Sequence, residues 1–287
     1  MWELKDGLVC CPKLGNELPF TSICGHSAAG DRIVGGGEAD LNVFPWMAML
    51  LYQNHATSEI NTYCAGSLIT NRYVLTAAHC VHNMPSDLSL HSVRLGEHNI
   101  SSDPDCHVKR KFCAPPHVEV DVEYVVVHVD FLRGGRKMNQ NDIALLRLQM
   151  PVRYSRAIKP ICLWGSHDFK TNSTFQVAGW GRTETDRFSQ VLMKGLIKKR
   201  EFGRCSERTS DLNSGFQMCA GGLDGSDTCV GDSGSPLMAT MGQSYEEYIY
   251  IAGITSIGNT NCGMTGVPAV YIKISAFIDW ITFNLRP

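Results

Sequence analysis

Short apolar stretches rich in β-branched and aromatic residues recur along the chain, each closed by Gly, Asn or Pro clusters. The clearest are Trp46 to Tyr52, Val118 to Val129, Ile143 to Leu148, Thr174 to Trp180 and Tyr248 to Ser256. Runs of this length and composition predict strands, and hence an all-β fold. Only the C-terminal end carries a helical period, where Ser275 can cap a segment that puts Phe277, Ile278, Ile281 and Leu285 on one face. Residues Gln149 to Pro160 contain two prolines and no alternation, which suits a connection between two β units of similar size. Two small barrels fit better than one sandwich, although periodicity alone does not decide between them. The Gly, Ser and Ala rich segment Ser22 to Gly30 predicts an exposed linker.

Composition narrows the classes of function. Hydrophobic residues make up 44% of 287, enough for a core rather than a disordered chain. A formal net charge of -2 supplies no basic field for nucleic acid or anionic lipid, and no run approaches the roughly 18 apolar residues of a membrane span. Twelve cysteines, mostly outside CxxC or metal-ligand spacings, point to maturation in an oxidising compartment. The start, MWELKDGLVCCP, has no signal-peptide core, so a secreted chain is expected to have lost its front. Sequons at Asn99 and Asn172 agree with secretion.

Three strings carry candidate chemistry: TAAHC with His79, NDIALL with Asp142 and GDSGSP with Ser233. A serine hydroxyl is a weak nucleophile until a base takes its proton, and a buried carboxylate best fixes that base in the right tautomer. His, Asp and Ser can fill those three roles. Singly, each string has a plain alternative: a core histidine, a turn acid, a Gly-rich loop.

Taken in the order His, Asp, Ser, together with IVGG at Ile33, AGWG at Trp180 and KPICL at Cys162, the strings resemble the chymotrypsin/trypsin family of serine proteases from Ile33 to the C-terminal helix. The resemblance implies two six-stranded antiparallel β-barrels followed by a helix. It divides the chain into a pro-segment, 1–32, and a protease domain, 33–287, whose barrels part near 150–160. His79 would be the general base, Asp142 its orienting acid and Ser233 the nucleophile, with the Gly231 and Ser233 amides as oxyanion hole. Asp227, six residues before Ser233, would select Arg or Lys side chains, with Ser256 and Gly258 on the wall that pairs with substrate backbone. Two positions depart from the pattern. Ser235 stands where GDSGGP has glycine, and Ala269 replaces the glycine of PGVY and narrows the pocket.

The resemblance also implies activation by cleavage after Arg32, freeing the Ile33 amine to pair with Asp232. For the cysteines it implies Cys64 with Cys80, Cys205 with Cys219, Cys229 with Cys262, and Cys24 with Cys162, the last retaining the pro-segment. A further bridge of many relatives is missing, because Phe175 and Ala239 occupy its positions. Cys106 and Cys113 close an insertion resembling that of arthropod clip-domain proteases of the Easter type. Cys10 and Cys11 resemble the adjacent pair that ends a clip domain, with free thiols as the other reading.

Glu97, Asn99, Ser102 and Asp105 lie in a loop that in this family often holds calcium; two acids in a loop are also common on surfaces. No cofactor is implied for catalysis. The reading is a secreted zymogen in an extracellular immune or developmental cascade. Its partners would be protein substrates such as another zymogen or pro-protein, an upstream activating protease and serpin-type inhibitors, with no nucleic acid and no membrane. A digestive protease, and an inactive homologue that acts as a binding cofactor, are the alternatives.

Overall fold

A computed structural model describes residues 15–27, 36–107, 111–134, 139–165, 169–182, 188–207, 209–222, 231–242, 247–258 and 266–287, and the backbone of 2–3 and 9–10. Arg32, Ile33, Asp227, Cys229 and Cys262 therefore lie outside the described residues, as does Cys11, and for Cys10 only the backbone is described.

Eighteen strands are defined among the described residues. A small pair, β1 (Trp2–Glu3) and β2 (Val9–Cys10), precedes β3 (Gly37–Glu38). The first barrel uses β4 (Met47–Asn54), β5 (Ile60–Leu68), β6 (Tyr73–Thr76), β7 (Leu88–Leu95), β10 (Val118–Val127) and β11 (Ala144–Leu148), closed in the order β10-β11-β6-β5-β4-β7. Strands β8 (Cys106–His107) and β9 (Phe112–Cys113) form a separate hairpin. After β12 (Cys162–Leu163), the second unit contains β13 (Thr174–Gly179), β14 (Met193–Lys198), β15 (Gln217–Ala220), β16 (Pro236–Met241), β17 (Tyr248–Ile257) and β18 (Ala269–Lys273). These six run β15-β18-β17-β16-β13-β14, with β3 added beyond β14. The open ends meet where Arg200 N donates to Cys219 O at 2.7 Å and Gly221 N to Lys198 O at 3.0 Å, so this sheet also curls back on itself.

Burial on both faces explains why β4, β6 and β11 are dominated by apolar residues and do not alternate. Trp46 is fully buried and donates Nε1–H to Met238 Sδ of β16 at 3.1 Å, joining the two units. The irregular segment between β11 and β12 is tied to the first barrel by Val152 N to Asn71 O and Ile161 N to Leu68 O. Phe175 and Ala239 are both buried in the apolar cluster inside the second unit.

Two local expectations need correction. Ser275 caps no helix: it lies inside a 3-10 turn, Ile274–Ala276, and the C-terminal helix starts at Ile278 with Phe277 as an N-cap lacking a side-chain bond. Burial of Ile274, Phe277 and Ile281 sets that boundary in place of a polar cap. Nor is the described part of Ser22 to Gly30 an exposed linker. Cys24 is bonded to Cys162, Gly25 N donates to Pro160 O and Gly25 O accepts from Ile249 N, both at 2.9 Å. At φ 72°, Gly25 lies so close to the Ile249 backbone that a Cβ would collide with it.

Candidate active site

His79 sits in a 3-10 turn, Ala78–Cys80, just after β6, and Asp142 follows the turn Asn139–Asn141 that leads into β11. Both belong to the first barrel. Ser233 comes from the second unit, in the turn before β16, and β17 brings Ser256 to the same junction. One bond holds the serine turn against the first barrel, and a second, within the barrel, braces the residue that makes it. Ala65 N donates to Ser233 O at 2.8 Å, and Thr76 Oγ1 donates to Ala65 O at 2.7 Å. Gly234 makes the approach feasible: its φ is 80°, and a Cβ would collide with Ala65 O and Thr76 Oγ1.

Asp142 is 3% exposed, and its carboxylate accepts three hydrogen bonds. His79 N donates to Oδ1 at 2.8 Å, while His79 Nδ1 and Ser256 Oγ reach Oδ2 at 2.7 Å and 2.6 Å. A buried carboxylate is tolerable when donors surround it in this way. Because a carboxylate only accepts, Nδ1 of His79 must carry the proton, which leaves Nε2 as the basic nitrogen of the neutral ring. Burial depresses the His79 pKa, but the hydrogen bond and charge of Asp142 more than offset it, holding the imidazole above its ordinary value. Among the described residues no hydrogen bond joins Nε2 to Ser233 Oγ; such bonds commonly tighten only once substrate is bound.

The Gly231 amide lies in the left-handed region at φ 98°, where a Cβ would come within 2.6 Å of Phe188 Cε1 and 3.0 Å of Gly181 Cα. Glycine is thus required here by Phe188 and by backbone, not only by access for substrate. Between the two oxyanion-hole candidates stands Asp232, whose Oδ1 accepts from Gly181 N at 2.9 Å. A Cβ on Gly179 would collide with that carboxylate, and one on Gly181 would lie 2.5 Å from its Cγ. The glycines on either side of Trp180 are therefore the space in which Asp232 fits. This role is absent from a reading of AGWG as a family label, and the signal for it was the glycine pair itself.

The remaining expected residues fall as follows. Gly258 is exposed at the end of β17, beyond Ser256, whose hydroxyl is spent on Asp142. Ala269 is 1% exposed and pairs with Ala220 across β18 and β15. Disulfides join Cys64 to Cys80, Cys106 to Cys113, Cys205 to Cys219 and Cys24 to Cys162. Cys64, His79 and Cys80 come close enough to suggest a metal site, but both sulfurs are bonded to each other and neither is a thiolate ligand.

Glu97 and Asp105 are both 6% exposed and converge on one amide, His98 N, with Glu97 Oε1 and Asp105 Oδ2 each at 2.9 Å. Ser102 Oγ donates to Asp105 Oδ1 at 2.7 Å, while Asn99 donates its backbone N–H to Asp105 Oδ2 at 3.0 Å. Burial raises the Glu97 pKa; the Arg94 hydrogen bond lowers it and the Asp105 charge raises it again. The two buried carboxylates are hard oxygen donors of the kind calcium takes, and both are already met by protein groups, since Glu97 Oε2 accepts from Arg94 Nη1 at 2.9 Å.

The comparisons agree with this geometry. The family profile described as Trypsin matches residues 33–281. Melanization protease 1 of Drosophila melanogaster is 42% identical over 94% of this chain and 69% of its own length. The Spaetzle-processing enzyme of the same species is 38% identical over 98% of this chain and 78% of its own. The solved structure of the Drosophila Grass clip serine protease of the Toll pathway superposes with a TM-score of 0.77 at 37% identity, covering 90% of this chain and 73% of that one. Family profile, relatives and a buried Asp-His pair facing a serine turn across two β units lead to one statement: the chain belongs to the trypsin family of serine proteases, with clip-domain proteases among its relatives.

Proposed function

We propose that the chain is the secreted zymogen of an endopeptidase that cuts after Arg or Lys within an extracellular cascade. The observation that carries catalysis is the pairing of His79 Nδ1 with the buried Asp142, which leaves Nε2 as a base with a raised pKa. His79 Nε2 takes the proton of Ser233 Oγ as the oxygen attacks the scissile carbonyl carbon. The carbonyl electron pair moves onto oxygen, where the amides of Gly231 and Ser233 receive the charge. The imidazolium then protonates the leaving amine, and water repeats the sequence to free the acyl group and Ser233. Asp142 holds the ring in place and stabilises the imidazolium throughout.

Basic specificity rests on Asp227, whose carboxylate would complement an Arg or Lys side chain in the pocket and leave an apolar one facing an unpaired charge. Zymogen behaviour rests on Arg32 and Ile33 together with the Asp232 carboxylate, for which a new ammonium at Ile33 is the natural partner. The cascade assignment draws on relatives named melanization protease 1, Spaetzle-processing enzyme and phenoloxidase-activating factor 1. It brings with it a protein substrate, an upstream activating protease and serpin-type inhibitors. Structural calcium between Glu97 and Asp105, with Asn99 and Ser102 beside them, belongs to the same proposal.

The test is to cleave the chain after Arg32 and expose it to a fluorophosphonate probe and to matched Arg, Lys and Leu peptide substrates. Labelling at Ser233 and hydrolysis of the Arg and Lys peptides are expected only after the cut, and Arg32→Gln should stay silent. Labelling that is equal before and after cleavage would remove the zymogen claim. No labelling at all would turn the reading towards an inactive homologue.

A further inference from the structure

Ser235 departs from the glycine of the family string GDSGGP, and its structural setting gives the departure a use. Its side chain is fully buried at 0% exposure, and so is its partner Thr255 at 2%. Their hydroxyls share a hydrogen bond of 3.0 Å. Backbone bonds flank it on both sides: Gly234 N donates to Thr255 O at 2.9 Å and Thr255 N to Ser235 O at 3.0 Å. Ser235 is two residues from the nucleophile, and Thr255 is next to Ser256, which holds Asp142.

A lone hydroxyl in this place would be costly, because the adjacent strand residues Leu237 and Ile254 are buried and apolar. The two hydroxyls satisfy one another and form a cross-tie at the point where the nucleophile turn meets β17. On its other side the turn is held by Ala65 N to Ser233 O.

We propose that Ser235 and Thr255 are positioning residues whose hydroxyl pair fixes the serine turn against the strand that supports the Asp142–His79 pair, and so sets the approach of Ser233 to its base. This rests on the protease reading above. The pair touches neither substrate nor reacting atoms; it acts through Ser233 and Ser256.

The decisive variant is Ser235→Ala with Thr255→Val. Replacing both partners of a buried hydrogen bond by apolar groups of similar shape leaves no hydroxyl unpaired, so a purely structural pair predicts near-wild-type stability and near-wild-type rate. A positioning pair predicts recovered stability with a lasting defect. The cleaved double variant should melt within a few degrees of wild type. Its kcat and its rate of phosphonylation by a small fluorophosphonate should both fall about tenfold while KM stays within about twofold, since small misplacements of reacting groups act on the chemical step. Thr255→Ser, which keeps a hydroxyl, should retain kcat to within about threefold of wild type. Wild-type kcat in the double variant would overturn the proposal, as would a loss in Thr255→Ser as large as in Thr255→Val. A wild type that neither labels nor hydrolyses after cleavage would overturn the protease reading itself and this role with it.

Discussion

Gly181→Ala tests whether the glycines beside Trp180 are the space that shapes the oxyanion loop. A Cβ there would lie 2.5 Å from Asp232 Cγ and 2.6 Å from each carboxylate oxygen. Non-bonded heavy atoms need about 3.5 Å, so either the carboxylate or the Gly181 backbone must move by about 1 Å. Overpacking of this kind typically costs about 1 to 3 kcal/mol. The movement also strains the bond from Gly181 N to Asp232 Oδ1, now 2.9 Å, and a hydrogen bond to a charged group contributes about 1.5 to 3 kcal/mol. Asp232 lies between the two residues whose amides are to hold the oxyanion, so part of the shift reaches them. A misplacement near 1 Å can cost about 100-fold in rate, equivalent to about 2.7 kcal/mol of transition-state stabilisation. The expected result is thus a kcat/KM about 100-fold below wild type on an Arg peptide, with a lower melting temperature. Gly195→Ala is the matched control in the same unit, because its Cβ would stand 3.4 Å from Val177 Cγ2, the tip of a side chain. Activity within twofold of wild type in Gly181→Ala, or an equal loss in Gly195→Ala, would refute the reasoning.

Because His79 must be neutral to act as base and Asp142 raises its pKa, kcat/KM should fall on the acid side through an apparent pKa above about 6.5, the ordinary imidazole value. The same shift has a stability sign: the fold gains from protonated His79 below the unfolded pKa and loses that gain as pH rises through the folded one. A profile flat from acid to neutral pH would take His79 out of the base role. Ser256→Ala removes a donor that competes for Asp142 Oδ2, so the acid limb should move to higher pH while kcat/KM drops about tenfold, the scale of one charge-assisted hydrogen bond; an unmoved limb would show that Ser256 does not act through Asp142. Calcium should raise the melting temperature of wild type but not of Glu97→Gln, as followed by thermal unfolding with added calcium or a chelator. Equal shifts in both proteins would place any bound cation elsewhere.

Much of the fold was legible because the strands buried on both faces announce themselves: β4, β11 and β17 each have a dense apolar run with turn residues at its ends. Strands β5 and β14 were not, because β5 begins with the exposed Ile60 and Asn61 and passes through Gly66, and β14 mixes lysines and a glycine with its apolar residues. Neither has the composition that marks a strand in isolation; each is made by its neighbours. The three strings around His79, Asp142 and Ser233 marked the site, yet nothing local in them tells that Ser256 is the third donor to Asp142. That contact joins residues 114 apart in sequence. Likewise Ser235 could be seen as a departure, whereas its partner Thr255 becomes visible only when β17 lies beside the nucleophile turn. Ser275 misled because polar residues before an apolar period usually cap a helix, while here burial of Ile274 pulled that stretch into a tighter turn.

The way residues 15–27 lie on the protease bears on what cutting at Arg32 can release. Gly15, at φ 78°, is set against Asn71 and Arg72 of the first barrel, and Leu18 packs on the main apolar cluster. Gly25 is bonded to Ile249 of the second unit and to Pro160 in the connection between the two. This stretch thus behaves as a seam shared by both halves, stitched by backbone bonds and apolar contact as well as by Cys24–Cys162. Opening that single disulfide loosens one stitch of several, so if the chain is cut after Arg32 the segment in front of the cut should stay in register on the barrels through mild reduction and should part from them only as they begin to melt.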